Sequence, residues 1–145
     1  MRHFPIYLDM AGARVVVSGA GETAVAKLRL LLKTEADIAV FGPNPAEFVR
    51  AWAGEGRLRL TERPLEASNL DGVRLLYAAN DDEAEDARVR LLGRSAGVLV
   101  NVVDNLNASD FITPAIVDRD PVTIAIGTEG TAPVLARRVK AEIEA

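Results

Sequence analysis

Short apolar runs alternate with amphipathic segments along the first hundred residues. Val15-Val16-Val17 is a β-branched run of the kind that lies buried in a parallel sheet, and it leads through a glycine turn into a segment with apolar residues at helical spacing. The same order of strand, turn and helix is repeated, with further strands predicted at 37–41, 57–61, 73–79 and 98–103. This alternation predicts a three-layer α/β domain with a mostly parallel sheet.

Helix-capping and helix-terminating residues predict where the helices of this domain begin and end. Asn44 is placed to be the N-cap of a short helix with Pro45 in its first turn, and Asp82 is placed to cap the charged helix after the fourth strand. Gly97 is expected to end that charged helix.

The pattern changes after Asp104. Two apolar runs, 115–118 and 122–126, are separated by Arg119-Asp120-Pro121 and predict an antiparallel hairpin. A last amphipathic helix opens at Pro133 and is still running at Ala145, so we expect the protein to continue beyond this sequence. We therefore predict a cofactor-binding domain at 1–113, followed by a hairpin and C-terminal helix at 114–145.

The amino-acid composition argues against several classes of protein and of site. The 145 residues are 49% hydrophobic and 26% charged, which suits one globular domain, and no apolar run approaches membrane-spanning length. There is no cysteine, one histidine and a net charge of −4, which argues against disulfides, thiolate chemistry, multi-histidine metal sites and general nucleic-acid binding. The first ten residues contain no signal-peptide pattern, so we expect a cytoplasmic protein without a membrane or nucleic-acid partner. Proton transfer is left to carboxylates, lysine, tyrosine or the substrate itself.

The turn after the first strand matches a dinucleotide-binding fingerprint. Gly19-Ala20-Gly21-Glu22-Thr23-Ala24 fits G-x-G-x-x-A, in which small residues let a pyrophosphate approach the start of a helix. The alternative is a tight structural turn without a ligand. The fingerprint also expects an acidic residue at the end of the second strand, where this chain has Phe41-Gly42-Pro43-Asn44, so the choice between NAD and NADP stays open.

Polar residues also follow the later strands, at the sheet edge where α/β proteins bind ligands. Asp104 closes the fifth strand, and Asn80 to Asp82 follow the fourth. A carboxylate there could take a proton from a substrate, or could merely cap a turn; for Asp82 we favour the cap, and for Asp104 both interpretations stay open. Near the last helix, Thr128 and Arg137 could bind an anion or could belong to a solvated helix face.

Several segments, in this order, resemble one family. They are Phe4-Pro5-Ile6, the turn and helix start at 17–27, Ala78-Ala79-Asn80-Asp81-Asp82, Asn101-Val102-Val103-Asp104, the segment 111–119 (FITPAIVDR) and Pro133-Val134-Leu135-Ala136-Arg137. The chain is similar over its whole length to the precorrin-2 dehydrogenase/sirohydrochlorin ferrochelatase family, the N-terminal module of siroheme synthase.

The resemblance implies a Rossmann-like fold and NAD-dependent oxidation of precorrin-2 to sirohydrochlorin, with ferrous iron as a further substrate for insertion rather than a bound cofactor. It implies tetrapyrrole partners, a homodimer built through the hairpin, no resident metal site, and Asp104 as the catalytic residue. It places cofactor contacts at Gly19, Gly21, Glu22, Thr23, Pro43, Asn44, Asn80, Asn101 and Val102. We assign substrate binding to Thr128, Thr131, Arg119 and Arg137.

The chain departs from the family pattern at a few positions. Ala20 replaces a glycine of the turn, and the usual Gly-Gly-Thr-Ser-Pro reads Glu129-Gly130-Thr131-Ala132-Pro133, which puts substrate affinity and iron insertion in question more than cofactor binding. The competing hypothesis is a dinucleotide-sensing regulatory module without tetrapyrrole chemistry. Such a module would ordinarily carry an acid at the end of its second strand and would not need Asp104 with its hairpin.

Overall fold

A computed structural model describes residues 1–129 and 132–145 of the chain. The chain divides into two compact units, Tyr7–Asp110 and a smaller unit made of Met1–Ile6 with Phe111–Ala145. Each unit contains a β-sheet of its own.

Five parallel strands and three α-helices make up the larger unit. They run in chain order as β1 (Arg14–Ser18), α1 (Glu22–Leu31), β2 (Asp37–Phe41), α2 (Glu47–Gly54), β3 (Arg59–Thr61), a short 3₁₀ helix (Ala67–Leu70), β4 (Val73–Ala78), α3 (Glu83–Ser95) and β5 (Leu99–Val102). The strand order in the sheet is β3-β2-β1-β4-β5, so the topology switches direction between β1 and β4. This is the order of a Rossmann-like sheet, and the predicted α/β class is confirmed.

The central strands are apolar because both faces of the sheet are covered. Val16, Leu76 and Val100, on β1, β4 and β5, are each at most 1% exposed. Helix α3 approaches the sheet closely at Gly93, where an added Cβ would lie 2.4 Å from Cγ2 of Val100. A small residue is therefore required at that position for α3 to pack on β5.

Backbone hydrogen bonds continue past the strand ends and join them into one edge. The N–H of Gly19 donates to the carbonyl of Phe41 at 2.7 Å, and the N–H of Ala79 donates to that of Ser18 at 2.7 Å. The N–H of Val103 donates to the carbonyl of Ala78 at 3.0 Å. The residues that follow β1, β2, β4 and β5 are thus presented from a rigid, bonded edge.

The smaller unit contains the antiparallel hairpin that the sequence predicts. Strands β6 (Ala115–Arg119) and β7 (Val122–Ile126) pair in register, and helix α4 (Pro133–Glu144) begins at the expected proline. Val117 and Ala136 form its buried centre. Within the described ranges, neither unit has a helix long and apolar enough to cross a membrane.

One predicted helix start is wrong. Helix α2 begins at Glu47 with Ala46 as its N-cap, and no side chain caps it. Asn44 instead adopts a left-handed backbone conformation (φ 50°), and the N–H of Ala46 donates to the carbonyl of Ala20 at 2.8 Å. This bond ties the chain to the glycine turn and delays the helix by two residues, so the side chain of Asn44 has no capping role.

The predicted cap at Asp82 is confirmed. One carboxylate oxygen accepts from the N–H groups of Ala84 at 3.0 Å and Glu85 at 3.1 Å. We expect Asp82→Ala to lower the free energy of unfolding by about 1 kcal/mol, because two N–H groups of α3 lose their acceptor. Urea denaturation measures this, with Asp82→Asn, which keeps an acceptor oxygen, as the matched control. Equal stability of the alanine and wild-type proteins would contradict a capping role.

Candidate functional site

The glycine turn after β1 presents the start of α1 as an open cradle. Gly21 is the N-cap of α1 and offers no side chain to its first N–H groups, and the first α-helical bond runs from Val25 to Gly21. A Cβ added at Gly21 would meet nothing within 4 Å, so the space above the turn is free. Unpaired N–H groups and the positive end of the helix dipole are what the diphosphate of a dinucleotide requires, and this turn fits such a cofactor.

The chain beyond β2 packs directly against this turn. An added Cβ at Gly42 would lie 3.0 Å from the backbone nitrogen of Ala20 and 3.2 Å from its Cβ. Pro43 and Asn44, the predicted cofactor contacts, are therefore held beside the turn with exposed side chains. Arg63, which no sequence pattern predicts at this position, also lies near the end of β2. Its guanidinium lies 5.4 Å from the ring centre of Phe41. Its Nη1 already donates to Pro64 and Asn69.

A cavity of about 600 Å³ opens at the ends of β4 and β5, between α3, the start of α1 and the loop after β5. Three of the predicted site residues line this cavity: Thr23, Val102 and Asp104. Its other lining residues are Asp81, Asp82, Glu83, Asp86, Ala87, Arg90, Leu91, Val103, Asn105 and Ala108. Five of the lining side chains are carboxylates and one is an arginine, so the cavity wall is acidic.

Left-handed backbone conformations mark three of the strand ends. Asn44, Asp81 and Asp104 follow β2, β4 and β5 and have φ angles of 50°, 55° and 62°. Such conformations cost on the order of 1 kcal/mol for residues other than glycine, and Asn and Asp tolerate them best. Strained backbone of this kind clusters at functional sites. Here Asp81 and Asp104 line the cavity, and Asn44 lies beside the glycine turn.

Asp104 has no structural partner in the described part of the chain. Two other residues form the side-chain hydrogen bonds of the loop after β5. Oδ1 of Asn105 accepts from the N–H of Ala108 at 3.1 Å, and the hydroxyl of Ser109 donates to the carbonyl of Asn105 at 2.7 Å. The side chain of Asp104 is exposed at the cavity and forms no hydrogen bond or ion pair with the described residues. The turn-capping interpretation of Asp104 therefore has no hydrogen bond to support it.

The remaining predicted cofactor residues lie on the same edge but do not line the cavity. Asn101 is 7% exposed within β5, and Asn80 is half-buried after β4. Asn80 is hydrogen-bonded to Ser18 and Asp86, neither of which belongs to a predicted site. No sequence signal marks that cluster, because its members come from three different elements.

The smaller unit has a separate cavity of about 210 Å³. Thr128 and Arg137 line it together with Thr113, whose buried hydroxyl has no hydrogen-bond partner among the residues that the structure describes. Arg119 is not among the lining residues; it lies at the turn end of the hairpin, and its Nη2 donates to the carbonyl of Glu144 at 3.3 Å. Thr131 lies outside the described residues.

Glu129 forms a contact that the sequence does not reveal. Its carboxylate accepts from the backbone N–H of His3 at 3.1 Å and of Arg2 at 3.2 Å, and it also pairs with the His3 ring. The side-chain hydrogen bond from His3 lowers the pKa of Glu129 below its usual value. A lowered carboxylate pKa means that this contact is fully formed above the usual pKa and is lost as the pH falls through the lowered one. His3 is consequently a bonded, half-buried residue.

Within residues 1–129 and 132–145, no group of three or more His, Cys, Asp or Glu side chains has the geometry to bind a metal ion. The carboxylates around the 600 Å³ cavity are thus spread out rather than convergent.

The chain matches two family models and is similar to several curated proteins. Residues 6–115 match the family model described as putative NAD(P)-binding, and residues 119–145 match the model described as sirohaem biosynthesis protein central. The chain is 41% identical over 144 residues to the siroheme synthase of Pseudoalteromonas atlantica and 45% identical over 148 residues to that of Gluconacetobacter diazotrophicus. These alignments cover 99% and 98% of this chain and 31% of each relative, so the chain spans about a third of the length of the curated relatives it matches.

A solved structure agrees with these relatives. The protein described as SirC, precorrin-2 dehydrogenase, superposes with a TM-score of 0.78 at 25% identity, covering 97% of this chain and 69% of its own. The resemblance found in the sequence is confirmed. The chain belongs to the putative NAD(P)-binding family, and it is similar to siroheme synthases and to a precorrin-2 dehydrogenase.

Proposed function

We propose that this chain oxidises precorrin-2 to sirohydrochlorin with NAD as the hydride acceptor. The observation that carries the proposal is Asp104, a carboxylate without a structural partner among residues 1–129 and 132–145, which faces a cavity on the same sheet edge as the open glycine turn. The names of the similar proteins, siroheme synthase and precorrin-2 dehydrogenase, supply the substrate class.

The reaction removes a hydride and a proton from the tetrapyrrole. NAD, when bound, supplies the acceptor for the hydride. The carboxylate of Asp104 accepts the proton that leaves the substrate carbon and, being exposed, releases it to solvent. With a single histidine at position 3 and no cysteine in the sequence, the base is sought among carboxylates, lysine and tyrosine, and of these Asp104 lies at the end of β5 beside the cavity.

The cofactor is proposed to lie across the switch between β1 and β4. Gly19, Gly21 and the N–H groups of Glu22 and Thr23 would bind its diphosphate, and Pro43 with Asn44 would contact the adenosine half. Asn80, Asn101 and Val102, at the ends of β4 and β5, would contact the nicotinamide half. Asn44 is free for a ribose hydroxyl because it does not cap α2.

Gly21→Val is expected to weaken NAD binding while the domain stays folded. The added side chain would enter the open space that the diphosphate needs, whereas a Cβ at this position contacts no protein atom within 4 Å. Fluorescence titration with NAD measures the affinity, and circular dichroism checks the fold. Unchanged NAD affinity in a folded variant would remove the turn from the cofactor site.

The activity itself is tested by mixing the chain with precorrin-2 and NAD and following NADH and sirohydrochlorin by absorbance. Stoichiometric formation of both products is expected. A regulatory dinucleotide sensor would bind NAD, ignore a porphyrin-like tetrapyrrole in a fluorescence titration, and form neither product. That result would overturn the proposed activity and favour the sensing module.

We also propose a homodimer in which the hairpin takes part. Val122 on β7 is 56% exposed, and Val134 and Leu135 on α4 are 68% and 52% exposed, so the smaller unit carries apolar surface that a second copy can cover. Sedimentation at micromolar concentration is expected to show a dimer. A monomer under those conditions would contradict a dimer formed by this chain alone.

We also propose substrate contacts within the smaller unit. Thr128 and Arg137 line its cavity, and together with Thr131 and Arg119 they would bind acidic groups of the tetrapyrrole. Ferrous iron would enter as a substrate for insertion into sirohydrochlorin. The cytoplasm, a reducing compartment, is the location that the cysteine-free sequence fits best.

A further inference from the structure

Three polar side chains form a hydrogen-bonded cluster where β1 and β4 diverge. Nδ2 of Asn80 donates to the hydroxyl of Ser18 at 3.0 Å and to Oδ1 of Asp86 at 2.9 Å. The backbone N–H of Asn80 donates to the same oxygen of Asp86 at 3.0 Å. Ser18 is only 2% exposed, so the cluster is anchored in the core of the sheet.

Asp86 determines which way the amide of Asn80 points. A carboxylate can only accept hydrogen bonds, so the NH₂ group of Asn80 must face it, and the flipped amide would set its oxygen against that carboxylate. Both hydrogens of Nδ2 are then used, one by Ser18 and one by Asp86. The carbonyl Oδ1 of Asn80 keeps only a long contact of 3.5 Å with the Ser18 hydroxyl, so it is the group left to accept from a ligand.

The cluster lies at the topological switch of the sheet. Ser18 directly precedes Gly19, and a Cβ added at Gly19 would lie 2.9 Å from the backbone nitrogen of Asn80. Asn80 therefore lies beside the glycine turn, at the end of the strand that opens the second half of the fold. In doubly wound sheets a dinucleotide crosses this point, with one nucleoside on each half.

We propose that Asp86 is a positioning residue of the cofactor site. By holding Asn80 with its oxygen free, it makes the end of β4 recognise a hydrogen-bond donor on the nicotinamide nucleoside: a ribose hydroxyl or the carboxamide NH₂. A phosphate oxygen, which only accepts, is excluded as the partner. This inference rests on the proposed NAD-dependent function and deepens it.

The test compares Asp86→Ala with Asp82→Ala, which removes the neighbouring capping carboxylate of α3 without touching Asn80. Both variants are expected to lose stability. Only Asp86→Ala is expected to weaken NAD binding, by about tenfold, the effect of losing one well-oriented hydrogen bond. Asp86→Asn, which keeps an acceptor oxygen, is expected to restore most of the affinity. If Asp86→Ala does not fold, Asp86→Leu replaces it in the comparison, and we expect Asp86→Leu to weaken NAD binding to the same extent.

A double-mutant cycle with Asn80→Ala shows whether Asp86 acts through Asn80. In that background Asp86→Ala should have no further effect on the dissociation constant for NAD. Titration with nicotinic acid adenine dinucleotide, which lacks the carboxamide NH₂, distinguishes the two donors: Asp86→Ala reduces the preference for NAD if the carboxamide is bound and leaves it unchanged if a ribose hydroxyl is bound.

The inference is overturned if wild type and Asp86→Ala bind NAD equally well while the melting temperature falls, because Asp86 would then be purely structural. It is also overturned if the two losses add in the double variant. A wild-type chain that binds no NAD would instead refute the proposed function, so the two failures are distinguishable.

Discussion

Asp104→Asn is expected to reduce precorrin-2 oxidation by about 10²–10⁴-fold at saturating NAD, the usual contribution of a general base. The amide cannot accept the substrate proton, and no other lining carboxylate stands at the same strand end. NAD affinity should be retained, because the proposed diphosphate contacts belong to the glycine turn. Single-turnover formation of NADH measures the chemical step, and a separate titration measures the affinity.

Asparagine is the sharper variant because the backbone at this position is left-handed. Asp104 has a φ of 62°, a conformation that asparagine tolerates and alanine adopts at a cost of about 1 kcal/mol. Asp104→Ala should therefore lose a similar amount of activity and some stability as well. Both variants remove the carboxylate, so their difference in stability reports the backbone alone.

Asp81→Asn is the matched control for charge. Asp81 also lines the cavity and has a left-handed φ of 55°, but it follows β4 rather than β5. Its substitution removes one negative charge from the same acidic wall and should change turnover far less than Asp104→Asn. Near wild-type turnover in Asp104→Asn would mean that the proton leaves directly to solvent or to another group, and the proposed role of Asp104 would be wrong.

Gly19→Ala is expected to lower the free energy of unfolding by more than about 4 kcal/mol, at the extreme end for single substitutions. A Cβ at this position would lie 2.0 Å from the carbonyl oxygen and 2.4 Å from the carbonyl carbon of Ala79, neither of which can move without breaking the bonded sheet edge. The φ of 117° is also outside the range that an L-residue accepts. Urea denaturation by circular dichroism measures the loss.

Gly54→Ala supplies the control for this prediction. Gly54 lies in the last turn of α2, its φ is not positive, and an added Cβ would meet nothing within 4 Å. Alanine there should be neutral or should stabilise the domain by up to about 1 kcal/mol, because glycine loses more backbone entropy on folding. If Gly19→Ala were as stable as Gly54→Ala, the tight packing of the glycine turn against β4 would be refuted.

Local patterns in the sequence are enough to predict the elements and most of their order. Period-two and period-3.6 patterns are local, so the buried strand around Val16, the hairpin and the helix that opens at Pro133 could be predicted within one or two residues of their bounds. The cap at Asp82 could also be predicted, because its acceptor and donors lie within three residues of one another. The family resemblance added the chemistry, since the segments that carry it are contiguous in the chain.

Contacts between residues that are distant in the chain could not be predicted from these local patterns. Asn44 was predicted as a helix cap from its neighbours, but the bond from Ala46 to Ala20, twenty-six residues away in sequence, moved the helix start and freed its side chain. From the sequence, Asp104 could be interpreted as a turn cap, but in the structure Asn105 and Ser109 form the side-chain hydrogen bonds of that loop. The cluster of Ser18, Asn80 and Asp86 has no sequence signature, because strand order brings the ends of β1 and β4 together and a local pattern contains no information about strand order.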